Sequence, residues 1–270
     1  MGIVAMKCPQ CGADIQLDDS REYGFCTYCG TKVMQERIIV EHRGGVVLDN
    51  TEKLKNLHIL AERALSSGDN AKAIEYFNEI LVESPNDWKA IFYSIFLKKD
   101  TIAPISDGYN NFYNQVKSTI DSAFGIIASL PENEQKDCYS VICNEINNYG
   151  ASVLKFALNS ENESVESLRK LPALDIKILT KKVAEGYMFA ALILFECIAT
   201  LDFTEEEFKE IVTKLAFTGL RILNCSSRWF QRGGHKDTAI SPMITIMNVL
   251  YRINPEAADE IIEELPVSKG

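Results

Sequence analysis

The stretches Cys8-Pro9-Gln10-Cys11-Gly12 and Cys26-Thr27-Tyr28-Cys29-Gly30 decide the fold at the start of this 270-residue chain. Two cysteines that are two residues apart can direct both thiolates to one metal ion across a tight turn. The glycine that follows each pair can adopt the positive φ that such a turn requires. Two pairs complete a tetrahedral set of four sulfur ligands, so the sequence predicts a metal site at Cys8, Cys11, Cys26 and Cys29.

Zinc is the expected ion, and a rubredoxin-type iron site is the alternative, because both metals bind tetrahedral thiolate sets. All four ligand positions are thiolates, which leaves no position for a catalytic water and predicts one structural ion. A thioredoxin-like redox pair would need a single Cys-x-x-Cys motif in a βαβ context, which this segment lacks. Short strands are expected over residues 15–17 and 22–25, joined by a polar turn at 18–20, with a third strand over residues 32–40.

With these motifs, residues 6–40 resemble a zinc ribbon. The resemblance implies a three-stranded, metal-stapled module, which we assign to residues 1–40 and interpret as a small protein-docking or folding unit. Residues 1–52 contain five Lys or Arg residues against eight Asp or Glu residues, so direct contact with a phosphate backbone is disfavoured. A Gly44-Gly45 pair marks a linker over residues 41–53.

The second part of the chain, residues 54–270, is expected to be all-α. In the window 54–87, Leu60 and Ala61, Gly68, Ala73 with Phe77, and Pro85 fit the 34-residue tetratricopeptide pattern. This window therefore resembles a tetratricopeptide repeat, which implies an α-solenoid with a partner-binding groove. The next 34-residue window does not fit the pattern, although residues 88–99 favour a helix that stacks on the first pair.

Further helices are predicted over seven segments, with a polar hinge at residues 159–164 between two of them. Their bounds are 107–130, 132–158, 164–170, 174–200, 204–229, 240–252 and 255–264. The longest apolar run, residues 187–200, has only 14 residues and includes Glu196, so it indicates a buried helix and not a membrane span of roughly 20 residues.

The compartment is predicted from charge, cysteine placement and the first residues. The net charge of −10 disfavours nonspecific binding to nucleic acid or to anionic membrane. The first residues lack the pattern of a secretory signal, and four cysteines are clustered while four are scattered, so a disulfide framework is not indicated. A cytoplasmic protein is expected. The order of the two parts also resembles a group of bacterial proteins in which a zinc ribbon precedes tetratricopeptide-like helices.

Two sets of residues are candidates for binding a partner. The first set lies on the first two helices and comprises Asn56, Arg63, Asn70 and Asn78. The second lies in the basic stretch 221–236, which has no acidic residue, and comprises Arg228, Trp229, Arg232 and Lys236. Exposed aromatic and basic side chains there could stack on and bind an acidic peptide, a phosphate or single-stranded RNA. Alternatively, Trp229 and Phe230 close the core at a helix end, where arginines favour the helix dipole.

No known catalytic motif occurs in the sequence, and no catalytic residue is predicted. The expected function is that of a non-enzymatic interaction or adaptor protein, with a structural zinc ribbon and a helical body that binds a peptide or protein. The alternative is a nucleic-acid-associated regulator that uses the ribbon together with the basic stretch.

Overall fold

A computed structural model of the chain describes residues 3–18, 23–34, 51–102, 107–168, 170–201 and 206–265. The chain divides into two compact units, Met1–Asp49 and Asn50–Gly270. Short antiparallel strands form the first unit. In the described residues of the second unit, every regular element is helical.

The first unit contains four short strands: β1 (Ile3–Lys7), β2 (Asp14–Asp18), β3 (Tyr23–Phe25) and β4 (Lys32–Met34). β1 pairs with β2 in a register that runs from Ile3↔Asp18 to Lys7↔Asp14. β3 pairs with β4 from Tyr23↔Met34 to Phe25↔Lys32. The described part of the unit therefore consists of two antiparallel hairpins, each with one cysteine pair at its turn.

The described residues do not form the three-stranded module that the resemblance implies, because β2 pairs with β1 and β3 pairs with β4, each across its own cysteine turn. The turn residues 19–20, like the segment 35–50, lie outside the described residues. β1 was not predicted, since its sequence IVAMK lacks the alternation of apolar and polar residues that signals a half-buried strand. Of the expected strand 32–40, Lys32–Met34 is a strand.

The helical unit begins with the antiparallel pair α1 (Thr51–Ser66) and α2 (Asn70–Glu83). Gly68 has a φ of +76°, which only glycine adopts readily, and it ends the turn that follows α1. The Asp69 carboxylate then accepts a hydrogen bond of 3.0 Å from the Lys72 N–H and caps α2. Ala61, Ala73 and Phe77, which fit the repeat pattern, are fully buried, as is Ile80. Leu60, by contrast, is 37% exposed.

The next elements are α3 (Trp88–Phe96), a short 3-10 helix (Leu97–Asp100), α4 (Tyr109–Ile127) and α5 (Glu132–Leu168). The hinge expected at residues 159–164 is wrong, because α5 continues through it for a total of 37 residues. The segment is polar but contains neither glycine nor proline, so nothing in it terminates a helix before Pro172.

The last four helices are α6 (Ala173–Thr200), α7 (Glu206–Arg232), α8 (Ile240–Ile253) and α9 (Pro255–Glu264). Residues 202–205, at the start of the helix expected over 204–229, lie outside the described residues. Whereas α1 and α2 have 16 and 14 residues, α5, α6 and α7 have 37, 28 and 27. The described part of the body is an all-α unit of nine α-helices, of which α5, α6 and α7 are much longer than the first pair.

α6 is the one described helix long and apolar enough to cross a membrane, and 61% of its most apolar window is buried inside the protein. The carboxylate of its buried Glu196 accepts a hydrogen bond of 2.7 Å from the Tyr113 hydroxyl and pairs with the Lys117 ammonium. Burial, together with this carboxylate, raises the pKa of the Tyr113 hydroxyl. The charged residue in the apolar run is thus neutralised by partners on α4.

We predict that Phe77→Ala lowers the free energy of unfolding of the helical unit by about 3–5 kcal/mol, because it leaves a cavity between α1, α2 and α3. The matched control is Val82→Ala on the same helix, where the side chain is 80% exposed. This control should change the free energy by less than about 0.5 kcal/mol. Urea unfolding followed by circular dichroism at about 222 nm measures both values. Equal losses in the two variants would contradict the packing described for α2.

Candidate metal centre

The two cysteine turns of the first unit have the same backbone geometry. The Gly12 N–H donates to the Cys8 carbonyl at 2.9 Å, and the Gly30 N–H donates to the Cys26 carbonyl at 2.9 Å. Gly12 and Gly30 have φ values of +73° and +74°. Nothing lies within 4 Å of a Cβ built at either glycine, so positive φ and not lack of space explains both residues.

These turns bring all four predicted sulfur ligands together, with every ligand atom within 4.8 Å of the others. The Cys8 and Cys29 sulfurs are 3.6 Å apart, and those of Cys11 and Cys26 are 3.7 Å apart. A tetrahedral site with zinc–sulfur bonds of about 2.3 Å has sulfur–sulfur edges of about 3.8 Å. Cys8, Cys11, Cys26 and Cys29 therefore fit one tetrahedral metal ion, and the separations are compatible with zinc.

Each turn contributes one buried and one exposed sulfur: Cys8 and Cys26 are buried, while Cys11 and Cys29 are exposed. The pKa values of Cys11 and Cys29 are shifted in opposite directions. Hydrogen bonds from the Thr31 hydroxyl and N–H favour the thiolate and lower the pKa of Cys29 to about 6. The Ala13 backbone also favours a thiolate at Cys11, but the neighbouring sulfurs and desolvation outweigh it and raise the pKa of Cys11 to about 12.

The described residues of the small unit form only a small apolar core. It consists of Cys8, Ile15, Cys26 and Val33, with Met6 packed against them. Two of these are candidate metal ligands. Because very small units usually need metals, disulfides or oligomerisation, a bound metal is expected to supply much of the folding free energy of the hairpins.

The second hairpin exposes three aromatic side chains that were not among the predicted partner-binding residues. Tyr28 is 74% exposed and Phe25 is 60% exposed. Tyr23, also exposed, meets the Phe25 ring edge to face at 6.1 Å, and the Lys32 ammonium lies 4.0 Å from the Tyr23 ring centroid. The alternation Tyr-Gly-Phe over residues 23–25 was the available signal, since it places both rings on one side of β3.

The candidate residues on the first helix pair are on the surface. Asn56, Arg63 and Asn78 are exposed. Asn70 is partly buried, and its side-chain amide donates to the Asp100 carboxylate. Their positions permit contact with a partner and do not identify one.

The basic stretch 221–236 does not form the exposed aromatic surface that was considered from the sequence. Trp229 and Phe230 are each only 2% exposed, so they close the core near the end of α7, as the alternative interpretation expected. Arg232 and Lys236 are exposed, and the Arg232 guanidinium lies 5.1 Å from the Trp229 ring centroid. Arg228 is partly buried and lines a groove between α7 and α8.

The remaining cysteines lie in the helical unit. Cys143, Cys197 and Cys225 are buried, and Cys138 is partly buried, as expected for thiols used as small apolar side chains. Burial, followed by the neighbouring Cys143, raises the pKa of the Cys197 thiol.

Comparison of the chain with models of protein families, with curated proteins and with solved structures finds no match. The structure itself defines a small four-cysteine unit followed by an all-α unit, which among the described residues has nine helices.

We predict that the purified protein contains about one equivalent of zinc per chain. Cys26→Ser should lose this metal, because it removes one of four ligands and leaves a buried hydroxyl in its place. Cys138→Ser, outside the site, is the control and should retain it. Elemental analysis of both variants, together with circular dichroism of their helices, provides the measurement. Metal retention in Cys26→Ser, or a full equivalent of iron in the wild type, would contradict the zinc assignment.

We also predict that metal affinity falls as the pH is lowered, with a steeper fall below about pH 6. Above that pH, metal binding must displace the Cys11 proton, whose pKa is about 12, whereas Cys29, with a pKa of about 6, is already a thiolate. Below it, a proton on Cys29 must be displaced as well.

Competition titrations with a chromophoric chelator at several pH values measure how steeply the metal affinity depends on pH. Thr31→Val removes the hydroxyl beside Cys29 and should move the steeper region to higher pH, whereas Thr31→Ser keeps a hydroxyl and should not. An unchanged slope across the range, or the same profile for Thr31→Val and Thr31→Ser, would contradict the role given to Thr31.

Proposed function

We propose that this protein is a non-enzymatic adaptor that binds a protein or peptide partner in the cytoplasm. In this proposal the first unit is a zinc ribbon with one structural zinc ion, and the helical unit is a tetratricopeptide-like body. The observation that carries the proposal is the exposure of three aromatic side chains of the small unit, Tyr23, Phe25 and Tyr28, of which Tyr23 and Phe25 are in ring contact. Contiguous exposed apolar and aromatic surface is typical of sites that bind other proteins.

A structural role for the metal follows from the donor set. Four cysteine sulfurs complete a tetrahedron and leave no open position for water or substrate. The ion would therefore act by fixing the two hairpins. One of these hairpins carries Phe25 and Tyr28, so the metal would also fix the surface that contacts the partner.

The first helix pair supports a tetratricopeptide-like body. Ala61 and Ala73 let α1 and α2 approach closely, and Phe77 fills the space between α2 and α3, where its ring stacks on Tyr93 at 5.1 Å. Helix pairs that stack in this way form grooves that bind peptides. Asn56, Arg63, Asn70 and Asn78 remain the candidates for such a groove.

The alternative of a nucleic-acid-associated regulator has less support. It required stacking on exposed aromatic side chains in the basic stretch, and Trp229 and Phe230 are buried. The small unit is acidic as a sequence, and a metal bound by four thiolates adds a further net charge of −2. The nuclease treatment in the experiment below tests whether binding depends on nucleic acid.

The experiment is affinity capture from nuclease-treated native cytosol, followed by mass spectrometry. Phe25→Ser should reduce capture of the partner about 30-fold, the effect of losing an aromatic residue that contributes about 2 kcal/mol to binding. The matched control is Phe156→Ser on α5, where the ring is 53% exposed. Zinc content is measured in each variant to show that the hairpins remain folded.

A protein captured by the wild type and by Phe156→Ser, but not by zinc-loaded Phe25→Ser, supports the proposal. Capture that occurs only when nuclease is omitted would support the nucleic-acid alternative. If no protein is reproducibly retained above the level of bare matrix, the adaptor proposal is wrong.

A further inference from the structure

A groove of about 560 Å³ lies between α7, α8 and α9. Most of its apolar lining comes from α8, including Ile240, Ile244, Met247 and Tyr251, and Ile262 of α9 adds to it. Neither the metal centre nor the partner-binding residues predicted on α1 and α2 are part of this groove. Of the four candidate residues in the basic stretch, only Arg228 lines this groove.

α8 is apolar on two faces, which is unusual for a helix at a protein surface. Ile246, Val249 and Leu250 are buried in the core. Ile240, Ile244, Met247 and Tyr251 follow one another at intervals of four, three and four residues, so they form a second stripe on the other side. Ile244 is 56% exposed, and Ile240 and Tyr251 are exposed as well. Of these four residues, Met247 is partly buried against the core, whereas Ile240, Ile244 and Tyr251 are exposed.

The dimensions of this stripe fit another helix. From residue 240 to residue 251 the helix rises about 16 Å, which is three turns. A helix of similar length laid beside α8 would meet side chains at the spacing at which helices pack, with its own apolar residues at positions i, i+4 and i+7.

The charge of the lining indicates which helix would fit. Arg228 is the only charged side chain among the lining residues, and its neighbours on the α7 wall are the neutral polar residues Asn224, Ser227 and Gln231. One Arg228 nitrogen lies 3.5 Å from the Cys225 sulfur. A guanidinium presents its N–H donors in a planar fork that matches a carboxylate, so a carboxylate is the partner group that suits the charge and geometry of Arg228.

The helix beside the groove argues against an anionic surface as the occupant. Exposed acidic residues on α9 include Asp259, Glu260 and Glu263. The Asp259 carboxylate accepts a hydrogen bond of 3.1 Å from Tyr251, which itself lines the groove. Asp259 therefore adds negative charge beside the groove, which disfavours the many phosphates of a membrane or a nucleic acid. A partner helix can instead place a single carboxylate at Arg228 and apolar residues elsewhere.

We propose that this groove binds an amphipathic helix of a partner protein, with its apolar residues on the α8 stripe and a carboxylate on Arg228. The inference rests on the proposed adaptor function and specifies the partner for one surface of it. Arg228 determines specificity here, since the apolar stripe alone would accept any apolar helix.

The test is a selection from a displayed library of 16-residue helical peptides against the full-length, zinc-loaded protein, with counter-selection against Ile244→Asp. Ile244 is exposed, so this variant should fold, and its carboxylate makes helix docking in the groove unfavourable. Selected peptides should share apolar residues at i, i+4 and i+7 and an acidic residue in a fixed position. A control variant, Ile178→Asp at an exposed site on α6, should bind them as well as the wild type does.

The selected peptide is then titrated into protein labelled with ¹³C at the methionine methyl groups. The Met243 and Met247 signals, both from the groove lining, should shift and saturate, whereas the Met6 signal from the first unit should not move. Replacing the peptide's acidic residue with lysine should weaken binding at least tenfold. Arg228→Glu should restore the affinity of that lysine peptide, and a charge-swap rescue of this kind is not expected if Arg228 is only structural.

Several outcomes would overturn the inference. They are selected peptides without helical apolar spacing, equal binding of the acidic and lysine peptides, or shifts at Met6 in place of Met243 and Met247. Shifts caused by vesicles of anionic phospholipid, or by raising the protein concentration alone, would assign the groove to a membrane or to a second copy. Failure of partner capture through Phe25 would leave these readouts unchanged, so the two proposals can fail separately.

Discussion

The close packing of α6 against α7 is the constraint on which the helical unit depends. The buried Ser226 hydroxyl donates to the Ala184 carbonyl at 2.7 Å, so the two backbones meet with no large side chain between them. Gly219 lies across from Ala191, where an added Cβ would be 3.8 Å from the Ala191 carbonyl. These antiparallel contacts fix α7 along much of its length. They therefore also fix the C-terminal part of α7, which carries Arg228 and the other α7 residues that line the groove. A larger residue at Ala184 would separate the pair and disturb every helix packed on it.

The first unit is stabilised differently, because its candidate metal ligands are also a large part of its described core. Cys8 and Cys26 are buried beside Ile15 and Val33, so the same atoms would coordinate the metal and exclude water. Loss of the ion would therefore remove the fold and the exposed aromatic surface together. The helical unit has its own extensive apolar core, and the four-cysteine cluster is not part of it. If a metal holds the hairpins together, we expect its removal to affect the aromatic surface near Phe25 and not the groove beside α8.

Sequence patterns predicted the features that depend on local chemistry. The two Cys-x-x-Cys-Gly motifs predicted the sulfur cluster, and Gly68-Asp69 predicted the turn between α1 and α2, because spacing and turn residues determine such geometry directly. The arrangement in two hairpins was not predicted, because the sequence of β1 lacks the alternation that would identify it as a strand. The hinge at residues 159–164 was wrong because polarity alone does not end a helix. The groove was missed because a periodic pattern shows that α8 has apolar residues, but not which of its faces the core covers.

An exposed apolar stripe carries a physical cost, which is the risk of nonspecific association. The net charge of −10 opposes that risk, because like-charged molecules repel one another before their apolar surfaces meet. The same repulsion does not exclude a partner whose helix is mainly apolar and carries one or two carboxylates toward Arg228. Surface charge would thus control which molecules approach, and the groove would control which of them stay. On this view the acidic residues of α9 oppose self-association, and the apolar residues of α8 bind a specific partner helix.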